Sequence, residues 1–142
     1  MRMPADRDNA TWELSEAELR SFFSRIDNEK ATMNLGLEQA QDAHVIVAAR
    51  ENGKIAGIAG VRRARGLPVA FFIVLEPFQG RGIGKALLRR LHSALLSKGS
   101  HLVCLSVLRN NQRALALYRN HGYRTFYRNA ESYYMFRLLF RD

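Results

Sequence analysis

Residues 69–98 read VAFFIVLEPFQGRGIGKALLRRLHSALLSK, and this stretch decides the fold. An apolar run of strand length meets Pro77, crosses a turn carrying Gly80, Gly82 and Gly84, and enters a long helical pattern. A strand, a glycine-rich loop and a helix start together present free backbone N–H groups and the positive end of a helix dipole to an anion. The glycines let the backbone approach a phosphate with no Cβ in the way. Two phosphate-binding motifs are excluded by spelling. A P-loop requires Gly where Gln79 stands and Ser or Thr where Ala86 stands, and a dinucleotide fingerprint requires Gly at Lys85. What remains is Gln79-x-x-Gly82-x-Gly84.

A chain of 142 residues is expected to fold as one domain over 1–142, with a sizeable core. Its 47% hydrophobic and 10% aromatic residues are those of a globular protein, not of a disordered or fibrous one. No apolar run reaches the roughly 18 residues of a membrane span, and the first residues lack the apolar stretch of a signal peptide. The one cysteine, Cys104, cannot form an internal disulfide and offers no metal-ligand spacing. The expectation is a cytoplasmic protein that needs no membrane and no metal.

A formal charge of +9 suggests a nucleic-acid partner, but its distribution argues otherwise. Residues 1–51 hold ten acidic and six basic side chains, a net of −4, and residues 52–142 hold three and sixteen, a net of +13. The basic part contains the glycine loop and suits a strongly anionic ligand. The acidic part is left to face something cationic.

Along the chain, Asn9–Leu14 reads as a short strand. Ser15 caps a helix, Glu18 completes a capping box, and Leu19, Phe22, Phe23 and Ile26 form the apolar stripe. Residues 31–42 read as a second helix. Val45–Ala49 and Ile55–Arg65 read as strands around an Asn52-Gly53 hairpin turn, and Gly66-Leu67-Pro68 turns the chain into the strand at 69–75. The long helix puts Ile83, Leu87, Leu91, Ala94 and Leu95 on one face and Lys85, Arg89 and His92 on another, with Gly99 as C-cap. His101–Leu108 is a strand, parallel to the one before the helix. A helix at Asn111–Asn120 and a hairpin of Tyr123–Tyr127 with Ser132–Phe140 close the chain.

Residues 111–123, NQRALALYRNHGY, match N-x-x-A-x-x-L-Y-x-x-x-G-[FY]. This segment and Gln79-x-x-Gly82-x-Gly84 resemble the two signatures of the GNAT N-acetyltransferases, in order and at the expected spacing. The resemblance covers about residues 9–140. It implies an α/β fold of the GNAT acyl-CoA N-acyltransferase type: a mixed, mostly antiparallel sheet flanked by helices, with the strands at 69–75 and 101–107 parallel but splayed at their C-terminal ends. Acetyl-CoA is then the cosubstrate, lying in that V. By similarity, the backbone amides of Gln79, Gly80, Arg81, Gly82, Ile83, Gly84 and Lys85 hold the pyrophosphate. The backbone around Ile73 and Leu75 pairs with the pantetheine arm, and an amide near Ile73 polarises the thioester carbonyl. Asn111 contacts the same arm, or caps its helix, or both.

The residue carried over as catalytic is Tyr118. A thiolate leaves when an amine attacks the thioester, and a tyrosine stays protonated at neutral pH and can donate to the sulfur. Some relatives carry a glutamate base at about the position of Val69, which valine cannot replace. Glu76 is close but faces the phosphate end, so the base is unassigned. Cys104 reads as core filler and not as a nucleophile. Lys85, Arg89 and Arg113 are within reach of the phosphates.

The resemblance also places the acceptor amine opposite CoA, between the first two helices and the closing hairpin. Asp27, Glu29, Glu38 and Asp42 stand there against Lys30, with Tyr127, Tyr133 and Tyr134 on or beside the hairpin. Carboxylates and aromatic faces predict a cationic acceptor, either a small molecule or a peptide. Two other classes stay open: a CoA-binding module without catalysis, and a nucleic-acid binder supported by charge alone. A homodimer is also left open.

Overall fold

The computed structural model describes residues 10–26 and 36–140. The elements in chain order are β1 (Thr11–Trp12), α1 (Glu16–Ile26), α2 (Leu37–Gln41), β2 (Val45–Glu51), β3 (Lys54–Ala64) and β4 (Leu67–Val74). A 3-10 turn at Glu76–Phe78 leads to α3 (Ile83–Ser97), β5 (Leu102–Leu108), α4 (Gln112–Asn120), β6 (Arg124–Arg128) and β7 (Ser132–Leu138). The strands form one seven-stranded sheet in the order β1-β2-β3-β4-β5-β7-β6. β1–β2 and β4–β5 are parallel pairs and the remaining neighbours are antiparallel.

Local chemistry accounts for most boundaries. The Ser15 hydroxyl accepts from the Glu18 amide at 3.1 Å, and the Glu18 carboxylate accepts from the Ser15 amide at 2.9 Å, which closes the capping box of α1. Asn52 and Gly53 both have positive φ, at 52° and 79°, the primed turn that matches the twist of β2 and β3. The same chemistry corrects the next turn. Arg65 and Gly66, also at 52° and 79°, make it by themselves, and Leu67 and Pro68 already belong to β4. Pro68 is tolerated because the ladder alternates: the Leu75 amide donates to Ala56 of β3, so the nitrogen of Pro68 faces away from β3 and no bond to it is lost. Of the expected second helix, only Leu37–Gln41 is helical among the described residues, and residues 31–35 lie outside them.

Two cores sandwich the sheet. On one face α3 and α4 bury Leu87, Leu88, Leu91, Leu95 and Leu115 against Val45, Val47, Val61, Val103 and Met135. On the other, α1 and α2 bury Leu19, Phe22, Phe23 and Ala40 against Ile46, Ile58 and Phe71. A Cβ at Gly57 would lie 2.9 Å from the Ile73 carbonyl and 3.3 Å from Ile83, so this glycine lets the first turn of α3 settle directly on β3.

The site depends on how β4 and β5 meet. They share a single backbone pair, Val69 with Cys104, and then part towards their C-terminal ends. The closing hairpin enters with β7 against β5 and β6 outermost. The chain therefore forms the mixed, mostly antiparallel sheet with a splayed parallel pair that the resemblance implies, the fold of the GNAT acyltransferases.

Candidate active site

A cleft of about 330 Å³ fills the gap between the diverging strands. One wall is Phe72 and Val74 of β4, and the other is Asn111, Arg113, Ala114, Leu117 and Tyr118 of α4 and its entry. Its end is the glycine turn, with Gln79, Gly80, Gly82, Ile83, Gly84 and Lys85. Gly80 and Gly82 have φ of 79° and 80°, which bends the loop so that α3 starts at the cleft. The first intrahelical bond there runs from the Ala86 amide to the Gly82 carbonyl, which leaves the amides of Ile83, Gly84 and Lys85 with no helical acceptor. Among the described residues, no side chain caps this helix. A Cβ at Gly82 would meet nothing within 4 Å, so only its positive φ calls for glycine there, and one at Gly84 would meet only Leu117 at 3.5 Å, so neither packing nor φ calls for glycine at that place. Lys85 and Arg113 bring cations to this end, whereas Arg89 is not among the cleft residues.

The main-chain groups of Ile73 and Leu75, expected to line the gap, are used in the pairing with β3 and in the turn that follows. The Leu75 amide donates to Ala56 and its carbonyl accepts from Phe78, while Ile73 faces Ile58 in the β3 ladder. Both side chains pack on the α1 face. Alternation along β4 therefore directs the N–H and C=O groups of Phe72 and Val74 into the gap. The Gln79 side-chain Nε2 donates to the Val74 carbonyl at 3.0 Å, so that carbonyl is already engaged. For Arg81 the expectation concerned the backbone amide alone, and its side chain is engaged elsewhere. Its guanidinium pairs with Glu51 at 2.9 Å and covers the Phe78 ring at 5.8 Å, which leaves only its backbone to face an anion.

Asn111 caps its helix as expected and also stands in the cleft wall. Its side-chain oxygen accepts from the Ala114 amide at 3.2 Å, capping α4, and the residue lines the cleft. Tyr118 is buried between Phe72 and Tyr123, each ring centroid 5.6 Å from its own. Among the described residues nothing hydrogen-bonds its hydroxyl. Burial pushes its phenol well above the usual tyrosine range, so it is a proton holder at neutral pH.

His92 was placed on the polar face of the long helix, but it is buried. Arg137 Nη1 donates to His92 Nδ1 at 3.0 Å, which makes that nitrogen the acceptor and puts the proton on Nε2, 2.6 Å from the Tyr123 hydroxyl. Burial first, then the charges of Arg137 and His121, lowers the imidazole to about 4, so it is neutral. Helical spacing offered no signal for this, because the partners lie 31 and 45 residues away. Glu76 is exposed in the 3-10 turn and outside the cleft. Cys104 is buried at the vertex with its thiol pushed up by desolvation, which suits filler and not a nucleophile. Among the described residues no carboxylate lines the cleft, and no group of three or more His, Cys, Asp or Glu side chains is placed to hold a metal.

The hairpin differs from the expected cationic-acceptor cage. Arg109 and Arg119 lie over the ring of Tyr133, at 5.3 Å and 5.6 Å, so guanidiniums already use that ring. Tyr127 and Tyr134 pack against each other in a tilted pair, with ring centroids 5.5 Å apart. Glu38 and Asp42 belong to α2 and its end, which lead into β2 at the closed side of the V, where Val45 faces Val61 and Val61 faces Ala70. Asp27, Glu29 and Lys30 lie outside the described residues.

Known proteins resemble this chain in sequence and in fold. A model of the Acetyltransferase (GNAT) family matches residues 9–123. RimI, an N-alpha-acetyltransferase of Mycobacterium tuberculosis, is 37% identical over 111 residues, 69% of this chain and 68% of its own. A protein of Mycobacterium leprae is 33% identical over 125 residues, 84% of this chain, and the chain spans only 32% of that relative's length. The structure of yncA from Salmonella typhimurium, solved with its cofactor acetyl-CoA, superposes with a TM-score of 0.70 at 17% identity, over 91% of this chain and 92% of that one.

Proposed function

The chain belongs to the GNAT acetyltransferase family, and from that premise we propose that it transfers the acetyl group of acetyl-CoA directly to a primary amine. The observation that carries this reading is the cleft itself: an uncapped helix start and two cations at one end, the main chain of Phe72 and the Val74 N–H turned into the gap along one wall, and a protonated tyrosine on the other. The amides of Ile83, Gly84 and Lys85, with Lys85 and Arg113, receive the pyrophosphate. Phe72 and Val74 supply main-chain groups to the pantetheine arm, and an amide of this stretch donates to the thioester oxygen as it becomes an oxyanion. Asn111 steadies the arm from the opposite wall.

The acceptor nitrogen attacks the carbonyl carbon, the C–S bond breaks, and the sulfur takes the proton of Tyr118. The proton lost by the amine passes to water, since the cleft contains no described carboxylate to take it. Water then restores the phenol. A lone buried cysteine suits the cytoplasm as the place of work. The name of RimI makes a polypeptide α-amine the first acceptor to try.

Thermal unfolding with acetyl-CoA, followed by thiol release across a panel of amines, tests the reading. Ligand at about 100 times its dissociation constant should add roughly 2.7 kcal/mol. Absence of any shift overturns the proposal, and a shift with no turnover on any amine leaves only an acyl-CoA-binding module.

A further inference from the structure

β6 ends the sheet, is paired on one side only, and has all five of its residues exposed. Its sequence, RTFYR, puts Arg124 and Arg128 on either side of Phe126 and Tyr127, which are 53% and 58% exposed. Arg119 and Arg128 border a shallow recess together with Thr125 and Tyr133. Among the described residues, Arg109, Arg119, Arg124 and Arg128 have no carboxylate partner, although Arg20, Arg50, Arg81 and Arg90 each have one. Between Pro77 and Phe140 the only acidic residue is Glu131.

The strip is tied to elements that also build the cleft. The Arg109 amide donates to the Glu131 carbonyl at 2.8 Å and its guanidinium to the Asn129 carbonyl at 3.3 Å, which ties the hairpin turn to the loop that delivers Asn111. Arg119 directly follows Tyr118 on α4. A second copy of the chain is a poor occupant, because antiparallel pairing of two β6 strands about Phe126 would set Arg124 of one opposite Arg128 of the other.

We propose that this basic, aromatic edge docks an acidic segment of the polypeptide that presents the acceptor amine. The inference rests on the acetyltransferase reading and adds a substrate class to it. A polypeptide, unlike a nucleic acid, combines carboxylates and a primary aliphatic amine in one flexible chain. The edge also offers unpaired main chain and side chains to such a segment.

The test is fluorescence anisotropy with a short synthetic peptide carrying glutamates at alternate positions and a blocked N-terminus, without acetyl-CoA. Its controls are the same peptide with glutamine for glutamate and a single-stranded oligonucleotide. The acidic peptide should bind about tenfold tighter than the neutral one, consistent with a few exposed ion pairs, and the difference should shrink with salt. Arg124→Glu with Arg128→Glu should erase the preference, and Arg124→Gln with Arg128→Gln should halve it or more, while the acetyl-CoA thermal shift stays intact in both. With a free α-amine the same substitutions should raise KM and leave kcat. Equal binding of acidic and neutral peptides, an unaltered preference in the variants, or tighter binding of the oligonucleotide overturns the proposal. Because the peptide arm needs neither cosubstrate nor turnover, a preference that stands when acetyl-CoA fails to bind supports the docking strip and rejects only the transferase reading.

Discussion

α3 and α4 both begin at the cleft, and they begin differently. α4 is closed by its own Asn111, whose side chain takes the Ala114 amide. α3 starts at Gly82 in a left-handed conformation with no side-chain cap. A helix start left uncapped wastes stabilisation of about 1 kcal/mol, unless an external anion completes it. On the proposed reading, the contrast separates an end closed by its own side chain from an end left for a ligand, within one cleft.

The largest effect should come from filling the uncapped end. Gly84→Val, with helical φ and only Leu117 near its Cβ, and Gly82→Val should both abolish the acetyl-CoA-induced thermal shift while the far-UV spectrum stays native. Normal binding by either variant would mean that the glycine turn is ordinary loop. Next is the wall of α4. Tyr118→Phe should lower turnover by roughly 10²–10⁴ with acetyl-CoA affinity little changed, because the hydroxyl acts chiefly in the transition state. Equal single-turnover rates would assign the proton to another donor.

The capped end should respond in stability before function. Asn111→Ala should cost about 1 kcal/mol in denaturant melts and weaken acetyl-CoA modestly. An unchanged melt would remove the cap from the comparison. The effect with least bearing on the cleft concerns His92, which joins α3 to the segment after α4 through Tyr123. Its folded value of about 4 lies below the ordinary 6.5, so its contribution is present above pH 6.5 and is lost as pH falls through 4. His92→Gln should flatten that part of the stability–pH curve, a change on the order of 2 kcal/mol or less. A curve identical to that of the unaltered protein would show that His92 is not buried neutral.

The features legible in the sequence are those fixed by neighbours. Ser15 and Glu18, Asn52 and Gly53, and Gly99 at φ 79° each carry their geometry within a few residues. The glycine turn and the segment around Tyr118 were legible for the same reason. Partners distant in sequence were not. Arg81 pairs with Glu51, His92 with Tyr123 and Arg137, and Tyr133 with Arg109 and Arg119. The register of β4 lies between these cases: its apolar run is plain, but only the Leu75–Ala56 bond reveals that Phe72 and Val74, not Ile73 and Leu75, turn their amides to the gap.

The single pair between Val69 and Cys104 has a further consequence, for hydrogen exchange. Phe71 and Ile73 stand in the β3 ladder, whereas Phe72 and Val74 point their amides across the gap. Neighbouring amides on one strand should therefore exchange with deuterium at alternating rates, fast at the even positions and slow at the odd ones. A molecule that lays its own carbonyl groups along β4 would erase the alternation. Strand β4 thus records occupancy in its own backbone, residue by residue, without any label on the ligand.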